Sequence, residues 1–159
     1  MLIPMLLYAS VLLVPVKDTV WWNSTAGQVM EHRDENGANC TLTFQSDGSS
    51  VVFEWKSTSQ PTVTVVNLDW QFPDNWRVPV AMQVGDVWLS NGADSAVIDA
   101  VAHGNAITFP VLQPVEPLLA QAGNIEVRAK AGTLRMPLDH VKMEALLDHV
   151  QQCRDVITR

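Results

Sequence analysis

The sequence is poor in cysteine, with two among 159 residues, and poor in positive charge, with 10 Lys and Arg against 17 Asp and Glu. Two cysteines exclude a disulfide-dense scaffold and leave one possible intramolecular pairing, Cys40 with Cys153. The net charge is −7 and no basic cluster occurs along the chain. Phosphate-backbone binding needs several cations on one face, so nucleic acid is not an expected partner, and neither is an anionic membrane surface. There is no Gly-rich phosphate loop, no dinucleotide fingerprint and no Gly-x-Ser-x-Gly elbow. His32, His103, His140 and His149 make no ligand pattern with the cysteines. His140 and His149 fall on opposite sides of a helix and are read as exposed helix positions. No catalytic residue, metal ligand or cofactor is therefore expected.

What is present suits one globular core. The apolar fraction is 47%, and no repeat, low-complexity tract or linker divides the chain. The first sixteen residues, Met1 to Val16, are uncharged and rich in Leu, Val, Ile and Met, and Lys17-Asp18 ends the run. Such a run is short for a helix crossing about 30 Å of hydrocarbon, and Pro4 and Pro15 weaken it further. It fits the apolar region of a secretory signal, with Ser24-Thr25-Ala26 offering small residues for cleavage. An uncleaved anchor and a buried segment of the domain are the other readings. The expected organisation is a signal peptide over 1–26 and a single β-rich domain over 27–159, periplasmic or secreted, with no membrane insertion after cleavage. In an oxidising compartment Cys40 and Cys153 are expected to form a disulfide.

From residue 27 the pattern is that of short strands. Cys40-Thr41-Leu42-Thr43-Phe44 alternates strictly, and Asp47-Gly48 signals a hairpin leading into Val51 to Trp55. Thr62 to Val66 alternates again, and further strands are predicted over 29–33, 78–84, 87–90, 95–102, 106–110, 124–130 and 133–136. Residues 67–77 are less regular and read as a loop. Val115 to Ala122 predicts a short helix capped by Gly123. From Asp139 to about Thr158, Met143, Leu146, Leu147, Val150, Cys153 and Ile157 trace one helical stripe, with Asp139 as its N-cap. The stripe includes Cys153, and Cys40 shares a strand face with Leu42 and Phe44, so both sulfurs point inward. The fold class is mainly β: an antiparallel sandwich or partly open barrel with a C-terminal helix packed on it.

The spaced elements resemble a known family. They are the strand Cys40 to Phe44, the stretch Ala93-Asp94-Ser95-Ala96-Val97, the element Leu118 to Val127, and Met136-Pro137-Leu138 leading to a helix with Ala145-Leu146-Leu147. Their order resembles small envelope proteins of the invasion-associated locus B type and related secreted domains of alphaproteobacteria. The family has more cysteines, and a Gly-Phe pair where this chain has His140-Val141. The resemblance implies a non-enzymatic envelope protein with a β-sandwich-like core and carries over no binding residue. Six tryptophans are the one enrichment. Most suit core packing, whereas Trp70, Phe72, Trp76 and Arg77, in the irregular stretch, are the candidate contact for a partner protein or other envelope component. A protease inhibitor is the first alternative. A hydrolase collecting Asp69, Asp74, Asp94, Asp99 and His103 into a pocket is the second.

Overall fold

The computed structural model describes residues 16–56, 60–90, 96–138 and 141–159. Eleven antiparallel strands form one sheet: β1 (Lys17–Asn23), β2 (Gly27–Asp34), β3 (Gly37–Ser46), β4 (Ser49–Lys56), β5 (Thr62–Asn67), β6 (Phe72–Val84), β7 (Val87–Trp88), β8 (Ile98–Gly104), β9 (Ala106–Pro110), β10 (Asn124–Ala129) and β11 (Gly132–Pro137). Among the described residues there are also two helices, α1 (Glu116–Leu119) and α2 (Met143–Ile157). Strands run in the order β1-β2-β3-β4-β5-β9-β8-β6-β10-β11, with β7 on the β8 side of β6. The sheet curls until β11 approaches β3, but its two ends do not pair. The expected mainly-β fold with a packed C-terminal helix is what forms, as a single unclosed sheet.

The period of two does most of the positioning. In β3, Cys40, Leu42 and Phe44 are fully buried while Thr41 and Thr43 lie on the other face. The same alternation buries Val51, Phe53 and Trp55 on β4, and Val78, Val80, Met82 and Val84 on β6. Asp47 and Gly48 both take positive φ, 45° and 76°, as a two-residue hairpin twisted to match its strands requires. Gly85 turns β6 into β7 at φ 59°, where a side chain would also meet the Ala122 backbone at 3.3 Å.

The cysteines join α2 to β3: the Cys40–Cys153 disulfide has Cα atoms 6.1 Å apart, and both residues are fully buried. Leu146 and Val150 bury the same helical stripe against β1, β2 and β3. Trp55, opposite Cys40 in the β3–β4 register, stacks on Phe53 and lies under the Arg154 guanidinium of α2. Arg154 in turn pairs with Glu116 of α1.

Three expectations are adjusted. The 115–122 helix shrinks to one turn, because Gln121 and Ala122 bond the carbonyls of Leu118 and Leu119 in tighter i→i+3 fashion. Gly123 is not a left-handed cap; its carbonyl accepts from Leu138 N–H instead. The last helix begins at Met143 with Lys142 in the cap position, because Met143 N–H bonds the Val141 carbonyl in a tight turn just before it. The expected cap Asp139, like His140, lies outside the described residues.

Residues 17–23, expected within the leader, form β1 and pair with β2 from Lys17↔Arg33 to Asn23↔Gln28. A bulge between Val20 and Trp22 adds a residue, so Trp21 and Trp22 both pack against the core. Among the described residues no helix is long and apolar enough to cross a membrane.

Candidate binding groove

Of the four candidate residues, Phe72, Trp76 and Arg77 lie along the first half of β6, and Trp70 lies just before it. This strand is thirteen residues long, but β10 covers it only from Val80 to Val84. On the other side β8 pairs with Phe72 and then with Trp76 to Val80. Between those points the chain bulges through Pro73, Asp74 and Asn75, the last at φ 59°. The stretch read as a loop is thus a turn over 68–71 followed by a bulged strand from Phe72.

The groove runs along the side of β6 that β10 leaves uncovered. It encloses about 330 Å³ and is lined by Phe72, Pro73, Trp76, Arg77, Pro79 and Lys130, among others. Met82 directs its carbonyl to Leu89 on the β7 side, so by alternation Pro79 directs its imide nitrogen to the uncovered side. A proline is tolerated there because no partner strand asks it for a hydrogen.

The four candidates have different environments. Trp70 is 3% exposed, sits edge-on to Phe72 at 5.8 Å and belongs to the core, where no partner reaches it. The turn before it, with Trp70 N–H on the Asn67 carbonyl and Asp69 N–H on the Asn67 side chain, folds the indole inward. Phe72 is half-buried in the groove wall. Trp76 shares the inward parity of Val78 and Val80, yet lies beyond the last residue of β10 and is 59% exposed. Arg77, on the outer face, donates to Asp99 at 2.9 Å. An indole open to contact, beside an aromatic ring and two cations, can bury apolar area and accept hydrogen-bonding anionic groups.

Among the described residues of the alternative hydrolase set, none lines a described hollow. Asp74 and His103 stand 3.9 Å apart, both largely exposed, while Asp99 is committed to Arg77, Asp69 lies in the β5–β6 turn and Asp94 is outside the described residues. Among the described residues no group of three His, Cys, Asp or Glu could hold a metal. A second hollow of about 460 Å³ lies at the β2–β3 end, lined by His32, Asp34, Asn39 and Lys56 among others. There His32 Nδ1 is 2.5 Å from Asp18 of β1, and this hydrogen bond raises the imidazole pKa. His149, expected to be exposed, is half-buried on α2 against Trp22.

One feature of the outer face escapes a reading along the chain. Glu126, its side chain 9% exposed, accepts from Arg128 Nε at 2.5 Å and from Arg135 Nε at 2.8 Å, and the two arginines hold its carboxyl below its usual pKa. Arg128 also lies 4.8 Å above the Trp88 ring, reaching across β6 over Ala81, its small register partner. No protein-family model matches the chain, and neither does any curated protein or solved structure.

Proposed function

We propose that the chain is an exported, non-catalytic domain that binds a partner protein or another envelope component through the Phe72–Trp76–Arg77 groove. The single observation that carries the reading is Trp76, a large indole 59% exposed at a groove whose neighbours Phe72 and Pro79 are apolar. Interfaces concentrate binding energy in Trp and Arg set in such hollows. Export is supported by the uncharged opening run and by a buried disulfide, which an oxidising compartment would maintain. The resemblance to envelope proteins of the invasion-associated locus B type points the same way.

Pull-down from envelope extract with wild type and Trp76→Ala tests the groove, provided both proteins melt at the same temperature. The reading expects partners retained by wild type to be lost with the variant; equal recovery rejects the groove. A reporter fusion after residue 26 tests export, with activity expected only outside the cytoplasm.

A further inference from the structure

Four of the ten Lys and Arg side chains of this acidic chain lie together on the outer face of β6, β10 and β11. Arg128 and Arg135 stand on adjacent strands, Lys130 follows in the β10–β11 turn, and Arg77 continues the row at the groove. Their side chains are open to solvent: Arg77 is 71%, Arg128 55% and Arg135 73% exposed. Among the described residues the carboxylates that pair with them are Glu126 and Asp99, and Glu126 is itself largely covered. Arg128 and Arg135 meet Glu126 through their ε nitrogens, and their η nitrogens have no hydrogen-bond partner among the described residues. A guanidinium held at its ε side and free at its η side is preorganised for a planar carboxylate.

We infer that the groove and this cationic face together receive a short acidic segment of a partner protein, with an apolar side chain seated at Trp76 and Phe72 and carboxylates along Arg77, Lys130, Arg128 and Arg135. The inference rests on the binding role proposed above and adds the chemistry of the partner. The rest of the molecule decides the size of the occupant. With the whole chain at −7, the surface beyond these four cations is strongly negative. A long polyanion such as nucleic acid, an acidic polysaccharide or an anionic bilayer would meet that repulsion. A short segment stays within about one screening length, roughly 8 Å at physiological salt, of the cations alone. Main-chain pairing along the uncovered side of β6 is not part of the mode, since Pro73 and Pro79 remove two donors from that stretch.

The test uses the disulfide-intact chain and labelled peptides of alternating Glu and Leu, Gln and Leu, or Lys and Leu, with polygalacturonate as a competitor, followed by fluorescence anisotropy. The Glu-Leu peptide is expected to bind best and to weaken as salt rises. The triple variant Arg128→Gln/Lys130→Gln/Arg135→Gln is expected to weaken it by about tenfold or more. Because the triple variant frees Glu126, Lys130→Gln alone is run beside it and is expected to give a smaller loss in the same direction. Equal binding of the Gln-Leu and Glu-Leu peptides, both lost with Trp76→Ala, overturns the acidic partner and leaves the groove standing. Binding of Glu-Leu that survives Trp76→Ala but fails in the triple variant supports the cationic face and counts against the groove. Polygalacturonate displacing the peptide at lower charge concentration overturns the choice of a protein segment, and no binding of Glu-Leu at low salt overturns the inference.

Discussion

The His149 imidazole of α2 lies against the Trp22 indole of β1, ring centroids 5.3 Å apart and planes tilted by 34°. The first strand is thereby fastened to the last helix, within the helical register that also places Cys153 on β3. Trp22→Ala should cost about 2 kcal/mol, less than the roughly 3–5 kcal/mol of a fully buried tryptophan, because the residue is not fully buried. A chain beginning at Gly27 loses β1 altogether and should unfold at clearly lower urea than one beginning at Lys17. Coincident urea midpoints for the two would make β1 dispensable. If export involves cleavage, the stable product keeps Lys17, and intact mass of the exported form reads this directly.

Asp18 and His32 give the β1–β2 pair a pH dependence. The Asp18 hydrogen bond raises the His32 pKa above its usual 6.5, with Coulombic support from Asp18 and Asp34. Since the folded value lies above the unfolded one, the stabilisation is fully present below the unfolded pKa and fades as pH rises through the folded pKa. Hydrogen exchange of β1 amides, compared at matched intrinsic rates, should therefore show stronger protection in mild acid than in mild base. Asp18→Asn should flatten that dependence and return the His32 titration, followed by NMR, towards its ordinary range. An unchanged midpoint would contradict the pairing.

Reduction of the disulfide should act on stability rather than on local shape. The cysteines are 113 residues apart, a loop for which chain entropy gives at most about 4–5 kcal/mol. Cys153→Ser should lower the denaturation midpoint strongly. The groove strand β6 makes no contact with the bridge in the register, so peptide binding by the folded fraction should persist.

Trp70 and Trp76 should separate cleanly. Trp70→Ala removes a core indole and should cost about 3–5 kcal/mol. Trp76→Ala removes an exposed one and should change stability by less than about 1 kcal/mol. Calorimetry of both variants checks the contrast; similar losses would mean that Trp76 is a packing residue.

Much of this fold is legible in the sequence because alternation is a local signal. Cys40, Leu42 and Phe44 declare their face without reference to any other strand, and the stripe from Met143 to Ile157 declares the helix face that carries Cys153. Strand β1 is hidden for a physical reason: Lys17-Asp18 follows an apolar run, and the bulge between Val20 and Trp22 breaks the alternation that would reveal a strand. The neighbourhood of Trp70 and Trp76 draws attention through composition, but their opposite fates depend on an Asx turn and on where β10 stops. The cationic face is illegible along the chain because its members, Arg77, Arg128 and Arg135, come from three strands and meet only through the β6–β10–β11 register.

Pro79 occupies the place where β10 ends and β6 runs on with one side bare. An open rim of that kind is a template on which a second molecule could lay a strand and begin a fibril. A ring nitrogen without hydrogen interrupts that template at its junction with the ordered ladder. The molecule can thus keep a recess beside an aromatic ring without inviting its own copies to polymerise through it.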